Sequence, residues 1–453
     1  MKIVKSVLIT LTLLIVLPIV VLIVYYQFDE KLDPKAAAWG EPRATTIPEA
    51  ENGYYALIAM GAGDGADAPA YAREWIAEAR AAAKENRPER RPKVQRAKRP
   101  DVCKPLQASC LNLVREKKVE LTTALDAYTE DLARYRMLID SKRFEEVLDY
   151  PVNIYSEIPS LRYLESARNA WLTQAALFAE AGNLEEAISA VERDVAYNRI
   201  MLVGARSWPI KNNSIAPYWT DLVFIADLLQ QKATALEPFV PRLREMLKSI
   251  DPAALRRGDT LETYFGAIKP MLRNPREFRN VYMEEKDLPP AARMIAVVYR
   301  PNAAINYQYK QYSEMAAVFN QPPRDIVAAR GKVEQPKNLW NDITSVWDLI
   351  NYNPIDPFVG VPITVEKYNN YDVLREHDLD AFNRLLALRV EALAANVDAA
   401  QAAEFVAKSA LHLYDPYTGK PMVWDAAKKR FQFKAGQVQR AKLWPGDVVF
   451  VTL

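Results

Sequence analysis

The first strong signal along the chain is hydrophobic and unbroken. Val7 to Tyr26 reads VLITLTLLIVLPIVVLIVYY, twenty residues without a charged side chain. At a helical rise of about 1.5 Å per residue such a segment spans about 30 Å, the thickness of a bilayer's hydrocarbon core. Lys2 and Lys5 precede it, and Asp29, Glu30 and Asp33 follow it, mixed with Lys31 and Lys35. Positive charge on the short N-terminal side holds that side in the cytoplasm and sends the rest across. Tyr25 and Tyr26 fall where interfacial aromatics belong, and Pro18 lies inside the span, where a membrane helix tolerates a kink. The pattern predicts a single-pass anchor. A cleaved signal peptide fits less well, because the only small-residue site, Ala36-Ala37-Ala38, comes after a charged and polar stretch. A buried core helix would show a one-sided period, which is missing here.

Beyond the anchor the pattern is helical. Residues 27–50, with Pro34, Pro42 and Pro48 among charges, read as a semi-extended stalk. Asn52 precedes a short helix over Tyr54 to Ile58, and Pro69 suits the first turn of an alanine-rich helix to about Asn86. Leu121, Leu125, Tyr128, Leu132, Tyr135 and Ile139 recur in steps of four and three, the seam of one amphipathic helix. Helix pairs are predicted over 166–205 and 214–248. Asp251-Pro252 and Asp259 or Thr260 are start signals, and a further helix runs from Asn302 to Phe319 with Tyr307, Tyr309 and Tyr312 as a core face. Pro354, Pro357 and Pro362 mark a boundary near 351. After it come a helix over 379–396, a second alanine-rich helix, a hairpin from Met422-Val423-Trp424 and Phe431-Gln432-Phe433, and a last strand over 448–453. The expected fold is mainly α. It has one N-terminal transmembrane helix (1–26 with its cytoplasmic tip), the stalk, a helical-hairpin body over 51–350 and a small C-terminal α+β part over 351–453.

Two stretches resemble known patterns. In Ser166 to Ala205, the residues Trp171, Ala175, Phe178, Gly182 and Ala187 stand where a tetratricopeptide-type repeat has large, small, aromatic, turn and small residues. The match covers one repeat and implies helix-pair architecture. Asp415-Pro416-Tyr417-Thr418-Gly419-Lys420-Pro421 with the hairpin after it is similar to the closing segment of uncharacterised bacterial membrane-anchored envelope proteins. That resemblance covers about forty residues and implies a bacterial, exported chain.

Composition narrows the chemistry. The 453 residues are 50% apolar and 26% charged with a net charge of +2, so no global field points to nucleic acid. Arg87, Arg90, Arg91, Lys93, Arg96, Lys98 and Arg99 face one acid, Glu89. The run reads as a solvated, proline-broken loop, or, if functional, as an anion-binding patch for lipid head groups or envelope polymers. No aromatic residue is interleaved in it, as single-stranded nucleic acid would require. The only cysteines, Cys103 and Cys110, lack C-x-x-C spacing and a nearby histidine, and in an oxidising compartment they read as a structural disulfide.

No nucleophile elbow, phosphate loop, dinucleotide fingerprint, zincin helix or EF-hand loop occurs, so neither a cofactor nor a metal site is expected. Arg375-Glu376-His377-Asp378-Leu379-Asp380 could supply a general base or ligands, but acids at a helix start read first as caps. Glu157 and Glu165 are available for a carboxylate pair, though nothing marks either. The expectation is an inner-membrane, single-pass protein with a periplasmic body that binds or scaffolds, its partners being membrane lipid and another envelope protein or anionic component. The alternative is a cell-wall-active hydrolase using acidic residues. Non-reducing mass analysis of protein purified without reductant should find Cys103 bonded to Cys110, a bridge worth about 2.5 kcal/mol by loop entropy. Two free thiols would count against the topology.

Overall fold

Most helices in folded proteins persist because one face is buried, so each is best followed by what it buries. The computed structural model describes residues 16–17, 28–91, 94–153, 156–159, 161–274, 300–329, 374–436 and 448–453. Asp33 caps α1 (Pro34–Ala38), Asn52 caps α2 (Gly53–Ala59), and Asp67 caps α3 (Ala68–Glu85), which ends at a left-handed Asn86. The seam from Leu121 to Ile139 is buried, but by two helices, α4 (Cys110–Asp126) and α5 (Thr129–Ile139). The Thr129 hydroxyl donates to the Asp126 carbonyl at 2.8 Å, and Tyr128 leaves helical geometry. Local side-chain bonding of this kind competes with helix continuation.

α6 (Leu161–Glu180) and α7 (Leu184–Gly204) form a helical hairpin turned at Gly182, whose φ of +82° suits a residue without Cβ. Ala175 and Ala187 are fully buried there, and Trp171 donates Nε1–H to the Ala190 carbonyl at 3.1 Å. α8 (Trp208–Lys232) is buried on nearly every side and packs on α4, α6 and α7. α9 (Val240–Met246) follows, then α10 (Asp259–Arg273), α11 (Pro301–Phe319), α12 (Pro323–Ala329), α13 (Arg375–Ala394) and α14 (Ala402–Ala407). The chain ends in an antiparallel sheet of order β1 (Val423–Asp425), β2 (Arg430–Lys434), β3 (Val448–Thr452). Alternate residues Phe431, Phe433, Val449 and Val451 are buried, the period-2 face of a sheet lying on α13.

There are two cores. The first gathers α2 to α9, α13, α14 and the sheet; the second gathers α1, α10, α11 and α12. The protein is thus mainly helical with a small C-terminal sheet, and the hairpin gains β3 as its third strand. One expected feature changes. Residues 28–50 do not stand off as a stalk: Leu32, Ala36 and Trp39 join the second core, and Asp29 caps α11 by accepting from the amides of Asn302 and Ala303 at 2.7 and 3.1 Å. Arg43 pairs with Leu148 as an antiparallel bridge, and Glu145 accepts from the Thr46 amide and hydroxyl. A polar strap with a few apolar residues can satisfy a helix terminus and bury a face together. The boundary near 351 lies outside the described residues, and α13, beyond it, belongs to the first core. Val7, Pro18, Tyr25 and Tyr26 also lie outside them. Among the described residues no helix is long and apolar enough to cross a membrane.

At the centre of the first core two acids meet. Asp194 of α7 and Asp221 of α8 are fully buried, and Asn198 Nδ2 reaches Asp194 at 3.2 Å and Asp221 at 2.6 Å. Tyr135 donates its hydroxyl to Asp194 at 2.6 Å. Burial pushes both acids above the usual carboxylate range, with the buried Arg168 offsetting part of that, and the neighbouring Asp194 pushes Asp221 up further, so the pair favours holding a proton. Because the folded-state affinity for that proton is raised, its stability contribution is complete below the ordinary Asp range and declines as pH rises. Asn at 221 would supply the missing N–H permanently. Asp221→Asn should therefore flatten the fall in stability above pH about 4 and exceed the natural protein by about 1 to 3 kcal/mol at pH about 8. Urea unfolding at several pH values reads this, and equal slopes would refute the held proton.

Candidate functional site: a cleft between the two cores

The strap and α10 are held together by an unusually close backbone approach. A Cβ on Gly266 would lie 2.2 Å from the Gly40 carbonyl oxygen, and Gly40 itself has φ +76°. Glycine at both positions lets the two chains touch. Arg43 pairs with Glu262, and Lys269 donates to Glu41 at 2.7 Å and to the Ala37 carbonyl at 2.8 Å. Trp39 stacks against Phe265 at 5.2 Å, with Tyr309 edge-on at 5.4 Å.

Opposite this wall runs residues 145–153 and the junction of α7 with α8. Between them lies a cleft of about 710 Å³, within the range of small-molecule sites. Its floor is held by Lys211, 2% exposed, whose Nζ donates to the Leu202 and Ala254 carbonyls at 2.7 and 2.6 Å. Burial lowers its pKa to about 8. Glu146 holds the turn that leads into α8, accepting from the amides of Arg206 and Ser207 at 2.9 and 2.7 Å, and burial nevertheless raises its pKa. Glu145 is taken by Thr46 and Ile47, Glu262 by Arg43, Glu41 by Lys269, and Asp259 by Asn320 Nδ2 at 3.0 Å. Apart from Arg43, the lining guanidinium groups are less committed. Arg206 approaches Glu145 only to 3.9 Å, and Arg256 and Arg273 have no partner among the described residues. Among those residues no group of acids, histidines and cysteines is arranged to hold a metal ion.

None of these residues stood out in the sequence, and those that did lie elsewhere. Arg87 binds Glu78 and holds its carboxyl down at about 2; Arg91 lies 3.6 Å over the Trp75 ring and pairs with Glu89. Arg96 and Arg99 grip the buried Asp131 at 3.0 and 2.6 Å. The basic stretch is therefore largely stitched to the body. Arg90 and Lys98 are exposed with no side-chain partner among the described residues, and Lys93 lies outside them. Glu157 and Glu165 are exposed and apart from the cleft. Cys103 and Cys110 are bonded, buried, with Cα atoms 5.5 Å apart.

The acids at the start of α13 are not caps. Glu376 makes a fully buried pair with Arg257 at 2.6 Å, and that guanidinium lies 3.7 Å over the Trp208 ring. Asp378 accepts from the Tyr417 hydroxyl at 2.6 Å and from the Gly436 amide at 2.8 Å. The Asp-Pro-Tyr-Thr-Gly-Lys-Pro loop thus pins the C-terminal hairpin to α13. Burial lowers the His377 pKa to about 4, leaving it neutral, and raises that of Asp380. Tertiary burial overrode the helix-dipole preference that the sequence pattern suggested.

Compared with known protein families, curated proteins and solved structures, the chain matches none. A cue to the cleft that the sequence reading did not use is Gly266, a glycine inside α10, where a close backbone approach requires it. Gly266→Ala should push the strap off α10, cost about 2 kcal/mol or more, and expose residues 39–47 to protease. Unchanged melting and cleavage patterns would show that the strap does not depend on this contact.

Proposed function

We propose that the protein is anchored in a bacterial inner membrane through Val7 to Tyr26, with its body in the periplasm, and that it binds an envelope component in the cleft between its cores. The uncharged span with its flanking charges supports the anchor, and a buried disulfide suits an oxidising compartment. What carries the binding reading over a catalytic one is the commitment of the cleft's carboxylates. A glycoside hydrolase needs two accessible acids about 5 to 9 Å apart. Each carboxylate lining this cleft is already an acceptor for protein donors. Among the described residues, the acids Asp194 and Asp221 face each other across Asn198, and neither has exposed surface.

Full-length protein in detergent, incubated with purified peptidoglycan, should release no soluble fragments. Release that disappears in Glu262→Gln would reverse the assignment in favour of a cell-wall hydrolase.

A further inference from the structure

One side of α10 lines the cleft along the whole helix. Asp259, Glu262, Gly266, Lys269 and Arg273 face it, in alternating steps of three and four residues that stay on one side of a helix. At about 1.5 Å per residue this side measures about 21 Å, and Arg256 stands just before it. The cleft is therefore a trough. An extended chain crosses such a length in about six or seven residues, whereas a helix needs about fourteen. A space of about 710 Å³ suits the slimmer chain.

The carboxylates along the trough are engaged by protein donors, as described above. Arg256 and Arg273 are exposed at its two ends and have no partner among the described residues. They stand more than two Debye lengths apart, each about 8 Å at physiological salt, so each acts on an anion of its own. Between them, Val203 is 52% exposed and, with Pro151 and Val152, gives the opposite wall apolar side chains. Tyr150, Pro151 and Val152 make no main-chain hydrogen bond to another segment among the described residues. A peptide offers such a segment an N–H and a C=O at nearly every residue, which an anionic sugar polymer does not. Among the described residues the only aromatic lining the cleft is Tyr150, itself buried, so no open ring face is presented to a sugar.

We infer that the cleft binds an extended acidic peptide segment of another protein, with one carboxylate on Arg256 and a second, about seven residues along, on Arg273. This ligand class rests on the binding reading of the same cleft and goes beyond it in naming a peptide and the spacing of its charges.

The test uses the full chain in detergent and the fluorescence anisotropy of a labelled octapeptide, blocked at both ends. The peptide carries glutamate at its first and last positions and alternating threonine and valine between. Saturable binding is expected, weakened about three- to fivefold by Arg256→Gln or by Arg273→Gln, by the product of the two in the double variant, and not at all by Lys98→Gln. Both arginines are exposed, so these variants should keep the natural melting temperature. Exchanging one terminal glutamate for lysine should weaken binding to the natural protein and restore it to Arg273→Glu. A peptide with its glutamates three residues apart should respond to only one of the two arginines. Absence of saturable binding, or binding indifferent to both arginine variants, overturns the inference, as does equal dependence on both arginines by the short-spaced peptide. An oligogalacturonate that binds with the two-arginine dependence where the octapeptide does not would overturn the peptide assignment and leave the binding cleft standing. Release of peptidoglycan fragments would instead strike the binding reading itself.

Discussion

Backbone contact between Gly40 and Gly266 is the constraint on which the second core turns. It brings the strap within reach of α10, and only then can Trp39 meet Phe265, Arg43 meet Glu262, and Lys269 meet Glu41. The same contact shapes one wall of the cleft. From Phe28 the chain follows this path before reaching the first core, so residues 28–47 are an integral part of the body. The cap that Asp29 places on α11 extends the coupling to the first described residues after the hydrophobic span.

Burying polar groups elsewhere follows a consistent logic. Arg257 is desolvated with Glu376 beside it and Trp208 across its face, and Lys211 is desolvated with two carbonyls to receive its protons. Such pairs add little net stability over apolar packing, but breaking one is costly, because the surviving charge is left buried. Asp194 and Asp221 share Asn198 as a donor, and burial raises the proton affinity of both. These groups sit where α7, α8 and α13 meet, and they make the junction specific.

The elements themselves were largely legible. Asn52 and the proline at position 69 mark helix starts that the structure keeps, and the 4-3 spacing from Leu121 identified a buried face even though Tyr128 splits it. Alternation at Phe431 and Phe433 identified a strand. The site was not legible, because its residues come from the strap, residues 145–153, the start of α8, the turn before α10 and α10 itself. No local pattern joins segments so far apart in sequence.

By itself the sequence determined the helical class, the positions of most caps, the small terminal sheet and the pairing of its only cysteines, because each depends on residues close along the chain or on there being a single choice of partner. Tertiary structure alone decided that the stretch after the hydrophobic span folds back as a strap. It also decided that most arginines of the basic run are spent on Glu78, Asp131 and Asp64, and that the acids opening α13 are buried partners in place of caps. Charge and composition cannot separate a solvated arginine from a paired one. That distinction depends on where the facing carboxylate lies, and only the packing of distant segments settles it.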